Sequence, residues 1–161
     1  MRPPDREARM ESGSPEETER LGRRLGATAP RGGLLGLVGE LGAGKTCLVR
    51  GLAAGLGADP AAVHSPSFTI VTAYEGGRLP LAHVDLYRLE ASQLDELFFR
   101  DVLFGNGVAA VEWFDRFGEV GTSEVLFVEL VYAPQGRSIR LSAYGTRHVR
   151  WLNAALTDED A

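Results

Sequence analysis

The sequence predicts an α/β domain in three layers, a central mixed β-sheet flanked by helices. Three observations predict it. An apolar run at 33–38 leads at once into a glycine-rich turn and then a segment with helical apolar spacing, the strand–turn–helix order of an α/β unit. Further runs of strand length recur at 68–74, 79–86 and 108–111, rich in β-branched, aromatic or small apolar residues. Near the C-terminus, 125–132 and 138–142 read as an antiparallel pair, which makes the sheet mixed.

The elements follow in order. Ser14-Pro15-Glu16-Glu17 is a helix start: Ser14 can accept from first-turn amides, Pro15 suits the first helical position, and Glu17 has the capping-box spacing. This helix turns Leu21 and Leu25 inward and ends between Gly26 and Pro30. The strand at 33–38 comes next, then the turn at 39–44. A helix over 45–56 places Leu48, Val49, Leu52 and Leu56 on one face and stops at Gly57. Glu75-Gly76-Gly77-Arg78 reads as a tight hairpin between two strands. A helix is expected over 92–99, a buried strand over 108–111 ending in Glu112, and a closing helix over 146–156. Residues 1–13 are expected to be a disordered extension, with Met10 as a second possible start, and 14–161 to form one domain.

Composition narrows the function. The 161 residues are 44% hydrophobic and 24% charged, the balance of a soluble globular chain. A net charge of -5 argues against direct tight binding to bare nucleic acid, which needs clustered Lys and Arg, but not against a role on a partner-bound complex. One cysteine, Cys47, excludes an internal disulfide framework or a Cys-based zinc site. The polar N-terminus has no secretory h-region and no run reaches the ~18 residues of a membrane span, so a cytoplasmic protein is expected.

The chemistry concentrates at Gly39, Glu40, Leu41, Gly42, Ala43, Gly44, Lys45 and Thr46, which match GxxxxGK[ST]. Glycines let the backbone wrap a phosphate, and successive amides then form an anion nest. The helix that follows aims its positive end at the same anion. Lys45, the only lysine in the chain, should reach the β- and γ-phosphates, and the Thr46 hydroxyl should ligate magnesium. This turn makes the predicted architecture a P-loop NTPase domain. Cys47 reads first as a small side chain at a tight place; the alternative is contact with a phosphate.

Such a site needs a carboxylate for magnesium and a group to position water. Asp85 and Glu112 each close an apolar run, and ligands of open α/β sheets sit outside the carboxyl ends of strands. Ser67, in Ser65-Pro66-Ser67-Phe68, is a third candidate, as a magnesium or γ-phosphate contact or as part of an ordinary turn. His64 and His83 lack metal-ligand spacing and read as structural. Arg137, Arg140, Arg147 and Arg150 alternate with apolar residues as a solvated face, from which one could reach a base or a partner.

With the phosphate loop, Ser65 to Phe68, His83-Val84-Asp85-Leu86-Tyr87-Arg88-Leu89 and Glu112-Trp113 set out, the chain resembles the TsaE (formerly YjeE) family. These are small bacterial ATPases of tRNA threonylcarbamoyladenosine biosynthesis. The resemblance implies ATP at Gly39 to Thr46, magnesium near Thr46 and Glu112, a catalytic or water-positioning Asp85, and Trp113 beside the nucleotide. It also implies protein partners, TsaD with TsaB, that hold the tRNA and the transferase site, while ATP hydrolysis resets the pair between turnovers. Three departures stand out: Ser67 where the family usually has Thr, Cys47 where Thr or another small residue is usual, and Phe114 where it often has Pro.

Two other classes compete. A small P-loop metabolite kinase fits the length, but no Arg-rich lid segment separates the motifs. A GTPase-like switch would carry Asn-Lys-x-Asp, and no second lysine exists to make one.

Overall fold

The computed structural model describes residues 2–40, 42–63, 71–85, 105–112 and 124–157. Along these run β1 (Arg6–Ser12), α1 (Pro15–Thr28), β2 (Leu34–Gly39), α2 (Lys45–Leu56), β3 (Val71–Tyr74), β4 (Leu81–Asp85), β5 (Val108–Glu112), β6 (Val125–Ala133), β7 (Gly136–Tyr144) and α3 (Thr146–Thr157). The strands form one sheet in the order β1-β7-β6-β2-β5-β4-β3. It is mixed, as expected. β2 runs parallel to β5 and β6, and β5 parallel to β4, whereas β3, β7 and β1 pair antiparallel with their neighbours. The carboxyl ends of β2, β4, β5 and β6 therefore meet at one edge of the sheet.

That edge is fixed by buried parallel strands. Leu34, Leu35 and Leu37 of β2 and Val108 to Val111 of β5 are buried, as befits central strands covered by other layers. Leu21 and Leu25 of α1 join Leu48, Leu52 and Leu56 of α2 in the core with Trp151 and Leu152 of α3. Trp151 satisfies its buried indole N–H by donating to the Leu25 carbonyl at 2.9 Å. The start of α1 follows the sequence closely. Ser14 Oγ accepts from the Glu17 amide at 3.2 Å, and the Glu17 carboxylate takes the Gly13 amide at 2.7 Å.

α1 and α2 touch backbone to backbone. A Cβ on Gly22, Gly26, Gly51 or Gly55 would lie 2.0–2.2 Å from a carbonyl oxygen of the facing helix. Only hydrogen fits at these four places, so the pair of helices packs more closely than larger side chains allow.

The N-terminal extension is a correction. Residues 6–12 are not disordered but form β1, paired with β7 from Arg6↔Ala143 to Ser12↔Arg137. β1 buries only Ala8, Met10 and Ser12, all on one side, and its other side is charged, a composition suited to a protected sheet edge rather than to a sequence-level strand signal. The hairpin between β3 and β4 is also longer than the tight turn expected, spanning 75–80 with Tyr74 opposite Leu81. Arg78 explains the length: its amide donates to the Leu56 carbonyl and its guanidinium to carbonyls at the end of α1. The helix expected over 92–99 and the first residues of the strand at 68–74 lie outside the described residues.

Candidate functional site

The phosphate turn leaves β2 and enters α2. Gly42 (φ +78°) and Gly44 (φ +112°) adopt the left-handed backbone that closes it, and Gly44 is the helix cap. The Ala43 amide donates to the Glu40 carbonyl at 3.0 Å. At the entrance, a Cβ on Gly39 would stand 2.7 Å from the Leu130 carbonyl oxygen, so the loop starts pressed against β6. Lys45 is buried, and its ammonium donates to the Gly39 carbonyl and, at 3.1 Å, to the Glu40 carbonyl. Thr46 and Cys47 are half-buried in the first turn of α2, where the helix end is positive.

Both acids reach this edge. Asp85 and Glu112 are paired in register across β4 and β5, and Glu112 is paired with Leu37, two residues before Gly39. Glu112 is almost fully buried, and its carboxylate is hydrogen-bonded to the Nε2 of a fully buried His83. His83 is thus structural, as expected, but what it holds is a predicted site residue. Spacing could not reveal the pairing, because it depends on the parallel alignment of two strands.

Arg137, expected on a solvated face, is half-buried and reaches the phosphate loop. Its Nε donates to the Ala43 carbonyl at 3.0 Å and its Nη2 to the Gly42 carbonyl at 3.2 Å, while the guanidinium lies 4.3 Å from the centre of the Tyr132 ring. It braces the loop from outside. Arg140, by contrast, makes an exposed ion pair with Glu129. The Cys47 thiol donates to the Pro15 carbonyl at 3.2 Å, and burial, then the Glu19 carboxylate, raises its pKa. That is the reverse of an activated thiol and suits a packing role. Leu41, Ser67 and Trp113 lie outside the described residues.

The residues suit a nucleotide with magnesium. Glycines without Cβ leave room for a phosphate at a helix start. Thr46 and Glu112 offer the hard oxygen donors magnesium prefers, few in number, with phosphate and water completing the set. Among the described residues, no helix is long and apolar enough to cross a membrane.

A mixed sheet with this loop at the carboxyl ends of its parallel central strands, between a helix start and two acids, defines a P-loop nucleoside triphosphatase. The family model "Threonylcarbamoyl adenosine biosynthesis protein TsaE" matches residues 12–139. The tRNA threonylcarbamoyladenosine biosynthesis protein TsaE of Bacillus subtilis is 39% identical over 136 residues, 84% of this chain and 85% of that protein. The protein of the same name from Streptomyces coelicolor is 41% identical, over 83% of this chain and 93% of its own. The crystal structure of YdiB from Bacillus subtilis superposes with a TM-score of 0.81 at 31% identity, covering 96% of this chain and 97% of that one. The chain belongs to the TsaE family, and with that membership it is an ATPase of tRNA threonylcarbamoyladenosine biosynthesis.

Proposed function

We propose that the chain binds ATP with magnesium at the phosphate loop and hydrolyses it in complex with TsaD and TsaB, resetting that pair between rounds of tRNA modification. The observation that carries the reading is the shared edge: the loop at the end of β2, with Asp85 and Glu112 in register at the ends of β4 and β5. Backbone amides of Gly42 to Thr46 and the Lys45 ammonium hold the phosphates. Lys45 leaves its two loop carbonyls to do so. Thr46 and Glu112, with Ser67, hold magnesium, which when bound neutralises charge on the transferring phosphate. Asp85 positions the attacking water, and Trp113 lies beside the nucleotide. His83 keeps the Glu112 carboxylate in one orientation, as the outer partner of a metal ligand does.

The tRNA meets this chain only through its partners, consistent with the acidic composition. The test is ATP hydrolysis by the chain alone and with purified TsaD–TsaB from the same organism. A low rate that rises with the pair is expected. An unchanged rate, with no complex formed, would return the chain to the metabolite-kinase class.

A further inference from the structure

The outer side of the phosphate loop is held by a side chain from the far end of the chain. Arg137 donates to three backbone carbonyls: Nε to Ala43 at 3.0 Å, Nη2 to Gly42 at 3.2 Å and Nη1 to Gly136 at 2.9 Å. Among the described residues no carboxylate pairs with it, so its charge stays with the loop. Tyr132 supports the guanidinium from one face, with 4.3 Å between its ring centre and the guanidinium carbon. The same tyrosine touches the turn, since a Cβ on Gly42 would lie 2.8 Å from its hydroxyl. The root of the arginine is fixed by β1. Arg137 pairs with Ser12, and a Cβ on Gly136 (φ +147°) would lie 2.1 Å from the Ser12 carbonyl oxygen.

A trans peptide unit points its N–H away from its own C=O. The Gly42 carbonyl shares a unit with the Ala43 amide, and the Ala43 carbonyl shares one with the Gly44 amide. Arg137 takes both carbonyls on the outer side, so both amides face the inner side of the loop. There the Ala43 amide donates to the Glu40 carbonyl at 3.0 Å and closes the turn. The Gly44 amide stands at the cap of α2, where an anion nest needs a donor. A carbonyl that accepts from a cation also polarises its peptide, which strengthens the attached N–H as a donor.

We infer that Arg137 is a positioning residue for phosphate binding. It acts through the two peptide units that follow Gly42 and Ala43, aiming and strengthening their amides, and not by touching the phosphates. The inference rests on the ATP reading above. It requires a planar fork, because an ammonium is a point charge and cannot span the same carbonyls in one rigid plane.

The experiment measures binding of ATP and of inorganic tripolyphosphate by titration calorimetry, in the full chain and in Arg137→Ala and Arg137→Lys. Tripolyphosphate has no sugar or base, so it reads the loop alone. Arg137→Ala should weaken both ligands alike, by about tenfold, the size of one charge-assisted hydrogen bond. Arg137→Lys should fall between that variant and the parent for both ligands. Methylguanidinium added to Arg137→Ala should restore both affinities several-fold and leave the parent unchanged, a response that lost packing would not give. Loss of ATP binding alone would make Arg137 a contact of the nucleoside and overturn the inference. Unchanged affinity for both ligands, or an equal loss that methylguanidinium does not relieve, overturns it too. If Arg137→Ala fails to fold, the two ligands compared on Arg137→Lys decide by the same rule. A parent chain that binds neither ligand would remove the ATP reading itself.

Discussion

Replacing Gly51 with alanine adds one methyl group to the middle of α2, and helix propensity alone predicts a gain of about 0.8–1 kcal/mol. The packing predicts the opposite sign. The new Cβ would stand 2.0 Å from the Glu19 carbonyl oxygen and 2.8 Å from its carbonyl carbon. Real Cβ contacts stay above 3.0 Å, so the backbones of α1 and α2 must part by about 1 Å. Neither obstacle is a side chain that can rotate away. Overpacking of this kind costs about 1–3 kcal/mol, and the parting also loosens the layer in which Leu21 and Leu25 meet Leu48 and Leu52. Because both obstacles are backbone, the upper half of that range applies, about 2–3 kcal/mol; after the propensity gain is subtracted, a net loss of about 1–2 kcal/mol remains, a fall in melting temperature of roughly 2–8 °C at this chain length. Circular dichroism on heating measures it. Gly22→Ala should act alike, and the double variant should lose less than the sum, because the first methyl opens the gap the second needs. Lys45 and Thr46 ride on α2, so the ATP-induced rise in melting temperature should shrink as well. A Gly51→Ala protein as stable as its parent, or more so, would refute the close helix contact.

Three further outcomes are expected. Lys45→Ala should weaken ATP binding by about 10–100-fold, the worth of charge-assisted hydrogen bonds to phosphate, as read by titration calorimetry. Asp85→Ala should lower turnover in the complex with TsaD–TsaB more than it lowers ATP affinity, a contrast that steady-state kinetics beside binding data will resolve. Burial, then Arg147, lowers the His148 pKa from 6.5 to about 4, and its Nε2 accepts from the Leu34 amide at 3.0 Å, which requires the unprotonated ring. The unfolded chain takes up this proton below about 6.5 and the folded chain only below about 4. Its contribution to stability is therefore complete above the first value and lost as pH falls through the second. In His148→Gln, denaturant melts between these pH values should lose that part of the slope.

The phosphate loop was legible because its chemistry is local: the glycines, Lys45 and Thr46 are contiguous and sit between a strand and a helix. Leu21, Leu25, Leu48 and Leu52 were legible through periodicity, and all four are core. What escaped depends on residues far apart in sequence. Arg137 meets Gly42 and Ala43 across more than ninety positions, and in the sequence it is one arginine among several in an alternating strand. His83 meets Glu112 only once β4 and β5 are aligned. β1 escaped for a different reason: an edge strand that buries only Ala8, Met10 and Ser12 on one side carries too little apolar signal to be read. The four glycines between α1 and α2 look like weak helix positions until the partner helix is in place.

The pairing of β1 with β7 has a consequence for how the chain is made. Ser12 is opposite Arg137, so 125 positions separate the two sides of the ladder. On a ribosome moving at ~5–20 residues per second, the first strand waits roughly 6–25 s before its partner is synthesised. The loop, α1 and α2 all emerge in that interval. The phosphate loop and both acids, Asp85 and Glu112, are thus synthesised before the sheet edge beside them can close, and the last strand ladder to zip brings Arg137 to the loop as it joins the oldest part of the chain to nearly the youngest.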